Sequence, residues 1–366
     1  MVGRENDVTQ SGSVWRAIAL ATAISLPSGA GFAQQPSHPP KVLSPEVALQ
    51  YVQPHERVEV GGGRGLNLFC LGSGKHTVLF DSGGSDWSVI WALVQPALAG
   101  DARVCTYDRA GLGYSDPATG ARSPMAIVDD MKVLIGAGKL ATPLVLVGHS
   151  LGGFNVKLYT ALYPEDVAGL VLIDPAEERS DQRSRTFMRK QLGEVGAARK
   201  EVTDLMWLDR LLDRYRTCAD QARAGDLDPA AISYRRCSDP VRPALGPEIA
   251  AERQKIQVRP RYQQAQASEI LNSIYGDARA DSAYARLFRP GAFGNRPMIV
   301  MTHGIYDATD RIDTADYQAM LALHRQTAEL SRRGRHRIVP QTHHNIQIDD
   351  PQAVVSAVRE VLQALN

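Results

Sequence analysis

Long hydrophobic runs are missing from this 366-residue chain, and no apolar stretch reaches the roughly 18 residues that a membrane span requires. A surplus of either charge is missing too. Lysine and arginine number 41 against 40 aspartates and glutamates, a formal net charge of +1. That balance gives no electrostatic reason for nucleic acid or an anionic surface as a partner. Cysteine is scarce: the four present, Cys70, Cys105, Cys218 and Cys237, do not have the spacing of a zinc site. A small, even number suits two pairs in an oxidising compartment. There are no internal repeats. What remains is length enough for one large domain with an insertion, or for two small domains.

The N-terminus has the pattern of an export signal. Arg4 and Arg16 precede an apolar stretch from Ala17 to Leu26, and Pro27, Ser28 and Gly29 follow. Gly31-Phe32-Ala33 places small residues where a signal peptidase reads, so a signal peptide is expected over 1–33, and with it a periplasmic or secreted protein. No cysteine follows Ala33, so no lipid anchor is expected there. Residues 34–50, rich in Gln, Pro and Ser, read as a linker or arm.

Beyond it, strands and helices alternate. Arg57 to Val60 and Leu66 to Leu71 flank Gly61-Gly62-Gly63 as a hairpin-like start. His76 to Phe80 is a third strand, followed by Asp81-Ser82-Gly83-Gly84-Ser85 and a helix expected from Trp87 to Leu98. Arg103 to Tyr107 is a fourth, and a helix near Ala126 to Leu140 leads to the apolar run Pro143 to Val147. Ala168 to Ile173 is the next strand, ending at Asp174-Pro175. From Ala176 to Asn295 the alternation stops. This stretch is arginine-rich, helical in pattern and punctuated by prolines, and it reads as an inserted helical cap over 176–295. Strand character returns at Met298 to Met301 and at His336 to Val339, with a helix near Thr314 to Ser331 between them. A last helix begins at Pro351, with Asp350 as its cap. Alternation on both sides of an insertion implies a mostly parallel sheet covered on both faces, formed by 51–175 and 296–366.

Gly148-His149-Ser150-Leu151-Gly152 lies between a buried strand and a helix that carries Phe154, Leu158, Ala161 and Leu162 on one face. A plain glycine-rich loop would share the pentapeptide but not that strand-turn-helix context. At such a turn small residues let a strained serine stand at the top of the sheet with its hydroxyl exposed, and the next amide lies at a helix N-terminus. Ser150 is therefore the candidate nucleophile and the Leu151 N–H a candidate oxyanion donor.

Three motifs in order resemble the α/β-hydrolase superfamily, in its cap-bearing serine hydrolase branch. They are Tyr107 to Asp116 after the fourth strand, Gly148 to Gly153 at the elbow, and His344 to Pro351 late in the chain. The resemblance covers nearly everything but the cap and the first ~50 residues. It implies a mostly parallel eight-stranded sheet with helices on both faces. It also implies His344, rather than adjacent His343, as general base, and an aspartate to orient it. Asp307 stands where the family usually places that acid; Asp310 and Asp174 are the alternatives. The turn after the third strand, where relatives carry His-Gly-x, reads Ser82-Gly83-Gly84 here, so Gly84 aligns with the second oxyanion donor and Ser82 replaces the usual histidine. Serine at the elbow argues against the chemistries of family members that use a carboxylate nucleophile. In this fold the second strand lies beside the fourth, which makes a Cys70–Cys105 bridge feasible, while Cys218 and Cys237 would close a local loop in the cap. Asp108, Arg109 and Ser115 are expected to brace loops, and Trp87 and Trp91 to serve as core or pocket wall. The paired histidines lack the partners of a metal site, and no cofactor is expected.

The implied activity is cleavage of a carboxylic ester through an acyl-enzyme. The main alternative is an aminopeptidase of the proline-iminopeptidase type, or an amidase, on the same machinery. An aminopeptidase would need cap carboxylates for a free amine, and Glu177, Glu178 and Asp181 are the candidates. A silent ligand-binding relative is the third reading.

Overall fold

A computed structural model describes residues 42–366; the expected signal peptide, and the expected arm as far as residue 41, lie outside the described residues. The strands are β1 (Glu56–Glu59), β2 (Gly65–Leu71), β3 (Thr77–Asp81), β4 (Arg103–Tyr107), β5 (Leu144–His149), β6 (Val167–Ile173), β7 (Pro297–His303) and β8 (Arg333–Val339). They form one eight-stranded sheet in the order β1-β2-β4-β3-β5-β6-β7-β8. β1 and β2 are antiparallel to their neighbours, and every pairing from β4 to β8 is parallel.

Side chains alternate across the sheet, and each face is buried under its own helices. Val78, Phe80, Val145, Val147, Val171 and Ile173 share one core with Trp87, Trp91 and Val354, Val358 and Val361 of the last helix. Leu79, Leu144, Leu146, Leu170 and Leu172 share the other with Val128, Met131, Leu134, Phe154 and Leu158. The trace departs from expectation at two places. Pro45–Tyr51, the end of the expected arm, is a helix, α1, with Pro45 in its first turn and Ala48 and Tyr51 buried. The helix expected from Trp87 to Leu98 is a 3-10 turn at Ser88–Trp91 followed by the short α2, Gln95–Leu98, because Pro96 supports only a helix start.

α4 (Leu151–Leu162) packs against β5, and α3 (Pro124–Ala137) packs against α4. Between β6 and β7, in the stretch expected as the cap, come the helices α5 (Ser180–Ala224, interrupted at Gly193), α6 (Ile232–Cys237), α7 (Gly246–Gln257), α8 (Pro260–Leu271) and α9 (Ala278–Tyr284). α10 (Arg311–Ala328), α11 (Ile346–Asp349) and α12 (Pro351–Gln363) complete the core, and Asp350 caps α12 by accepting from the Ala353 N–H at 3.0 Å. Cys70 and Cys105 face each other across β2 and β4 in register and are bridged, with Cα atoms 4.0 Å apart. Cys218 at the end of α5 is bridged to Cys237 of α6, Cα to Cα 5.4 Å.

Candidate active site

Ser150 closes the turn from β5 to α4 with φ 52° and ψ −120°, a backbone that side chains rarely adopt. The two glycines that flank it have no room for anything else. A Cβ on Gly152 would lie 2.3 Å from the Asp81 carbonyl oxygen and 2.4 Å from that of Ser82, and one on Gly148 would lie 2.4 Å from the Gly152 carbonyl oxygen. The Ser150 N–H donates to the Ile173 carbonyl at 3.0 Å, and the Ser150 carbonyl accepts from Ala176 N–H at 2.9 Å, so the end of β6 holds the turn. Ser150 is 7% exposed.

His344 lies in the loop between β8 and α11. The elbow itself pins that loop: His149 Nε2–H donates to the His344 carbonyl at 2.9 Å, and the two rings are 4.6 Å apart. Because a carbonyl only accepts, His149 carries its proton on Nε2. Burial, and then the neighbouring His344, push its pKa down to about 3, so it stays neutral. His343 points elsewhere, with its ring and backbone N–H on Asp349.

The carboxylate that meets His344 is Asp174, at 2.6 Å from Nδ1. The structure brings Asp174, one of the two alternatives, rather than the favoured Asp307 against His344. Asp307 is exposed and serves its own turn, accepting from the N–H and hydroxyl of Thr309. Asp310 caps α10 through the Ile312 and Asp313 N–H groups. Asp174 stands at the end of β6 with φ 44°, a left-handed backbone beside the elbow, and is buried. Burial alone would raise its pKa, but the imidazoles of His303 and His344 outweigh it and hold the carboxyl well below the usual range.

His303 was not anticipated. It is the last residue of β7, and its Nδ1–H donates to the same Asp174 oxygen at 2.8 Å, while its backbone N–H reaches the other oxygen at 3.2 Å. Burial opposes its charge, yet the Asp174 carboxylate prevails and raises its pKa. The available signal was a polar residue at the carboxyl end of a parallel strand, where ligands meet such sheets. Asp174, His303 and His344 form the one set of three His, Cys, Asp or Glu among the described residues whose ligand atoms could hold a metal, all within 4.8 Å. The Nδ1 atoms of both rings meet the same Asp174 oxygen, at 2.8 and 2.6 Å.

Gly84 and Leu151 face one another above the strands: a Cβ on Gly84 would touch Leu151 Cδ2 at 3.8 Å and Ile270 Cδ1 of α8 at 3.5 Å. Leu151 is the first residue of α4, so its N–H has no acceptor within the helix. Ser82 accepts from the Trp91 indole N–H at 3.0 Å. Asp108 and Ser115 brace loops as expected: Asp108 accepts from the Ser88 and Tyr114 N–H groups and from Asn67, and Ser115 Oγ donates to the Asp108 carbonyl.

An open parallel sheet with a strained serine elbow and an Asp-His pair at its carboxyl edge defines a class, and comparison with known proteins agrees. Residues 76–351 match the family described as alpha/beta hydrolase fold, and the chain belongs to that family. Part of the chain is 35% identical over 89 residues to a (lyso)-N-acylphosphatidylethanolamine lipase of Mus musculus, a match covering 24% of this chain and 26% of that protein. Other curated relatives are also matched over less than half of their length, 16% and 47% in two cases. Among solved structures, a thermophilic esterase from Thermogutta terrifontis superposes with a TM-score of 0.52 at 18% identity, covering 86% of this chain and 99% of that one. A meta-cleavage product hydrolase from Pseudomonas fluorescens IP01 gives 0.55 at 18% identity, covering 86% and 99%. At such identities the structures share the fold.

Proposed function

We propose that the protein is a serine hydrolase that cleaves a carboxylic ester through an acyl-enzyme intermediate. The observation that carries this reading is the Asp174–His344 hydrogen bond of 2.6 Å beside a serine held at positive φ. Asp174 fixes the tautomer with the proton on Nδ1 and leaves His344 Nε2 to take the Ser150 proton. Ser150 Oγ attacks the ester carbon, and the carbonyl oxygen becomes an oxyanion held by the Leu151 and Gly84 N–H groups. The C–O bond to the alcohol breaks as His344 returns the proton to the leaving oxygen. Water then attacks the acyl-enzyme, again deprotonated by His344, and the acid leaves with Ser150 restored. The partial sequence match to a lipase supports the ester class.

Two of the three carboxylates that the aminopeptidase alternative relies on are already paired, leaving it Asp181, which is exposed at the start of α5. A free amine needs unpaired carboxylates, and Glu177 and Glu178 are both buried on Lys157, at 3.0 and 2.6 Å, with Arg183 closing the cluster at 3.1 and 2.6 Å. Export is part of the proposal and rests on the signal pattern and the two disulfides. The test is turnover of p-nitrophenyl esters and aminoacyl p-nitroanilides beside Ser150→Ala. Ester turnover that vanishes in the variant is expected; preference for the anilides would move the reading to an amidase or peptidase. No turnover and no labelling of Ser150 by a fluorophosphonate would refute it.

A further inference from the structure

The loop Asp108 to Asp116 contributes one side chain whose bonds exceed what bracing a loop requires. Arg109, 1% exposed, uses all five of its N–H donors. Nη1 donates to Asp81 Oδ1 at 2.7 Å and to the Ser82 carbonyl at 2.6 Å. Nη2 donates to the Gly83 carbonyl at 2.7 Å and to Glu269 Oε2 at 2.8 Å, and Nε to Glu269 Oε1 at 2.7 Å. Two consecutive carbonyls of the turn after β3 are thus fixed by one buried cation. That cation is in turn gripped in a fork by a carboxylate of cap helix α8, 160 residues away in the chain.

We propose that Arg109 is a positioning residue for the oxyanion site, holding and polarising the Gly83–Gly84 peptide, and that Glu269 makes the cap a part of that site. The proposal rests on the serine hydrolase reading above. The Gly83–Gly84 peptide is trans, so the Gly83 carbonyl and the Gly84 N–H lie in one plane and point in opposite directions. A guanidinium on the carbonyl, which also accepts from the Asp86 N–H at 3.1 Å, therefore aims the Gly84 N–H away from itself. It also draws electron density through the amide and strengthens the N–H as a donor, as charge-assisted bonds in a chain do. Asp81, the third partner, accepts from Asn155 Nδ2 of α4 at 2.9 Å, which ties the same cluster to the helix that presents Leu151. The residue after Glu269, Ile270, covers Gly84 from above. One turn of α8 therefore carries both the carboxylate that grips Arg109 and a side chain beside the half-buried Gly84.

The experiment uses Arg109→Lys and Glu269→Gln in the full-length protein. Each is titrated for active sites with a fluorophosphonate, so that rates refer to folded enzyme. Infrared difference spectra of an acyl-enzyme carrying a 13C-labelled carbonyl then read the strength of the hydrogen bonds to that oxygen. The expected result is a carbonyl band at higher wavenumber and a kcat lower by about tenfold or more in Arg109→Lys, with KM within about twofold, and a smaller shift of the same sign in Glu269→Gln. A band that does not move in Glu269→Gln, whose amide oxygen still accepts and which leaves Arg109 in place, overturns the role of the cap. An unmoved band in Arg109→Lys overturns the proposal as a whole. If Arg109→Lys does not fold, the Glu269→Gln band alone decides. Wild-type protein that forms no acyl-enzyme would overturn the hydrolase reading, and this proposal with it; a wild-type acyl-enzyme with unmoved variant bands overturns this proposal alone.

Discussion

Asp174 and His344 are 170 residues apart in the chain and meet at 2.6 Å. They meet because β6 lies next to β5 and β7 in the sheet, so its carboxyl end opens beside the elbow, while the loop after β8 is drawn over the same edge by His149. The carboxylate is buried and accepts from His344 Nδ1, His303 Nδ1 and the His303 backbone N–H. Those three donors keep it ionised and immobile.

His303 should matter to turnover although it is remote from the serine in sequence. Losing one hydrogen bond to a charged group costs about 1.5–3 kcal/mol. If that loss falls on the orientation of Asp174, His303→Ala should lower kcat/KM roughly ten- to hundredfold. Steady-state kinetics on a p-nitrophenyl ester checks this; unchanged kcat/KM would mean that His344 and the backbone suffice to hold Asp174.

Two glycine substitutions should separate steric need from helix propensity. Gly152→Ala would place a methyl 2.3 Å from the Asp81 carbonyl oxygen, against backbone that cannot yield, so the variant should melt well below the parent or fail to fold. Gly136→Ala in α3 meets nothing within 4 Å and should be neutral or stabilising by about 0.5–1 kcal/mol. Thermal melts of both variants compare the two; similar Tm values would contradict the elbow geometry.

Acid stability carries the mark of His149. Its pKa is about 3 in the fold and about 6.5 when unfolded. Between those values the unfolded chain takes up a proton that the native state refuses, so stability falls as pH falls below about 6.5. The slope from this group approaches about 1.4 kcal/mol per pH unit. His149→Gln removes the titration, and urea unfolding at about pH 6.5 and about pH 5 should show a flatter profile than the parent. Equal slopes would show that His149 is protonated in the native state.

How far the sequence can be read depends on how local each feature is. The elbow, the late histidine and the sheet strands are written in short stretches: glycines flanking a serine, apolar runs, and the Asp350-Pro351 helix start. The breaks in the 87–98 segment were less legible, because burial of Trp87 and Trp91 competes there with helix periodicity. The acid was not readable from local signals. Asp307, Asp310 and Asp174 all follow strands or turns, and aspartate caps turns as readily as it orients a histidine. Only the placement of β6 beside the elbow distinguishes them. Arg109 read as a loop brace for the same reason, since its partners Asp81 and Glu269 lie 28 and 160 residues away.

The most direct test of the account compares Asp174→Asn with Asp307→Asn in kcat/KM for a p-nitrophenyl ester, each corrected for folded protein. An amide at 174 cannot hold the imidazole in the required tautomer, so Asp174→Asn should lose roughly 10³- to 10⁴-fold. Asp307→Asn should stay within about twofold of the parent, because its side chain serves a surface turn. The reverse outcome, with turnover kept in Asp174→Asn and lost in Asp307→Asn, would contradict the assignment of the acid and the mechanism built on it.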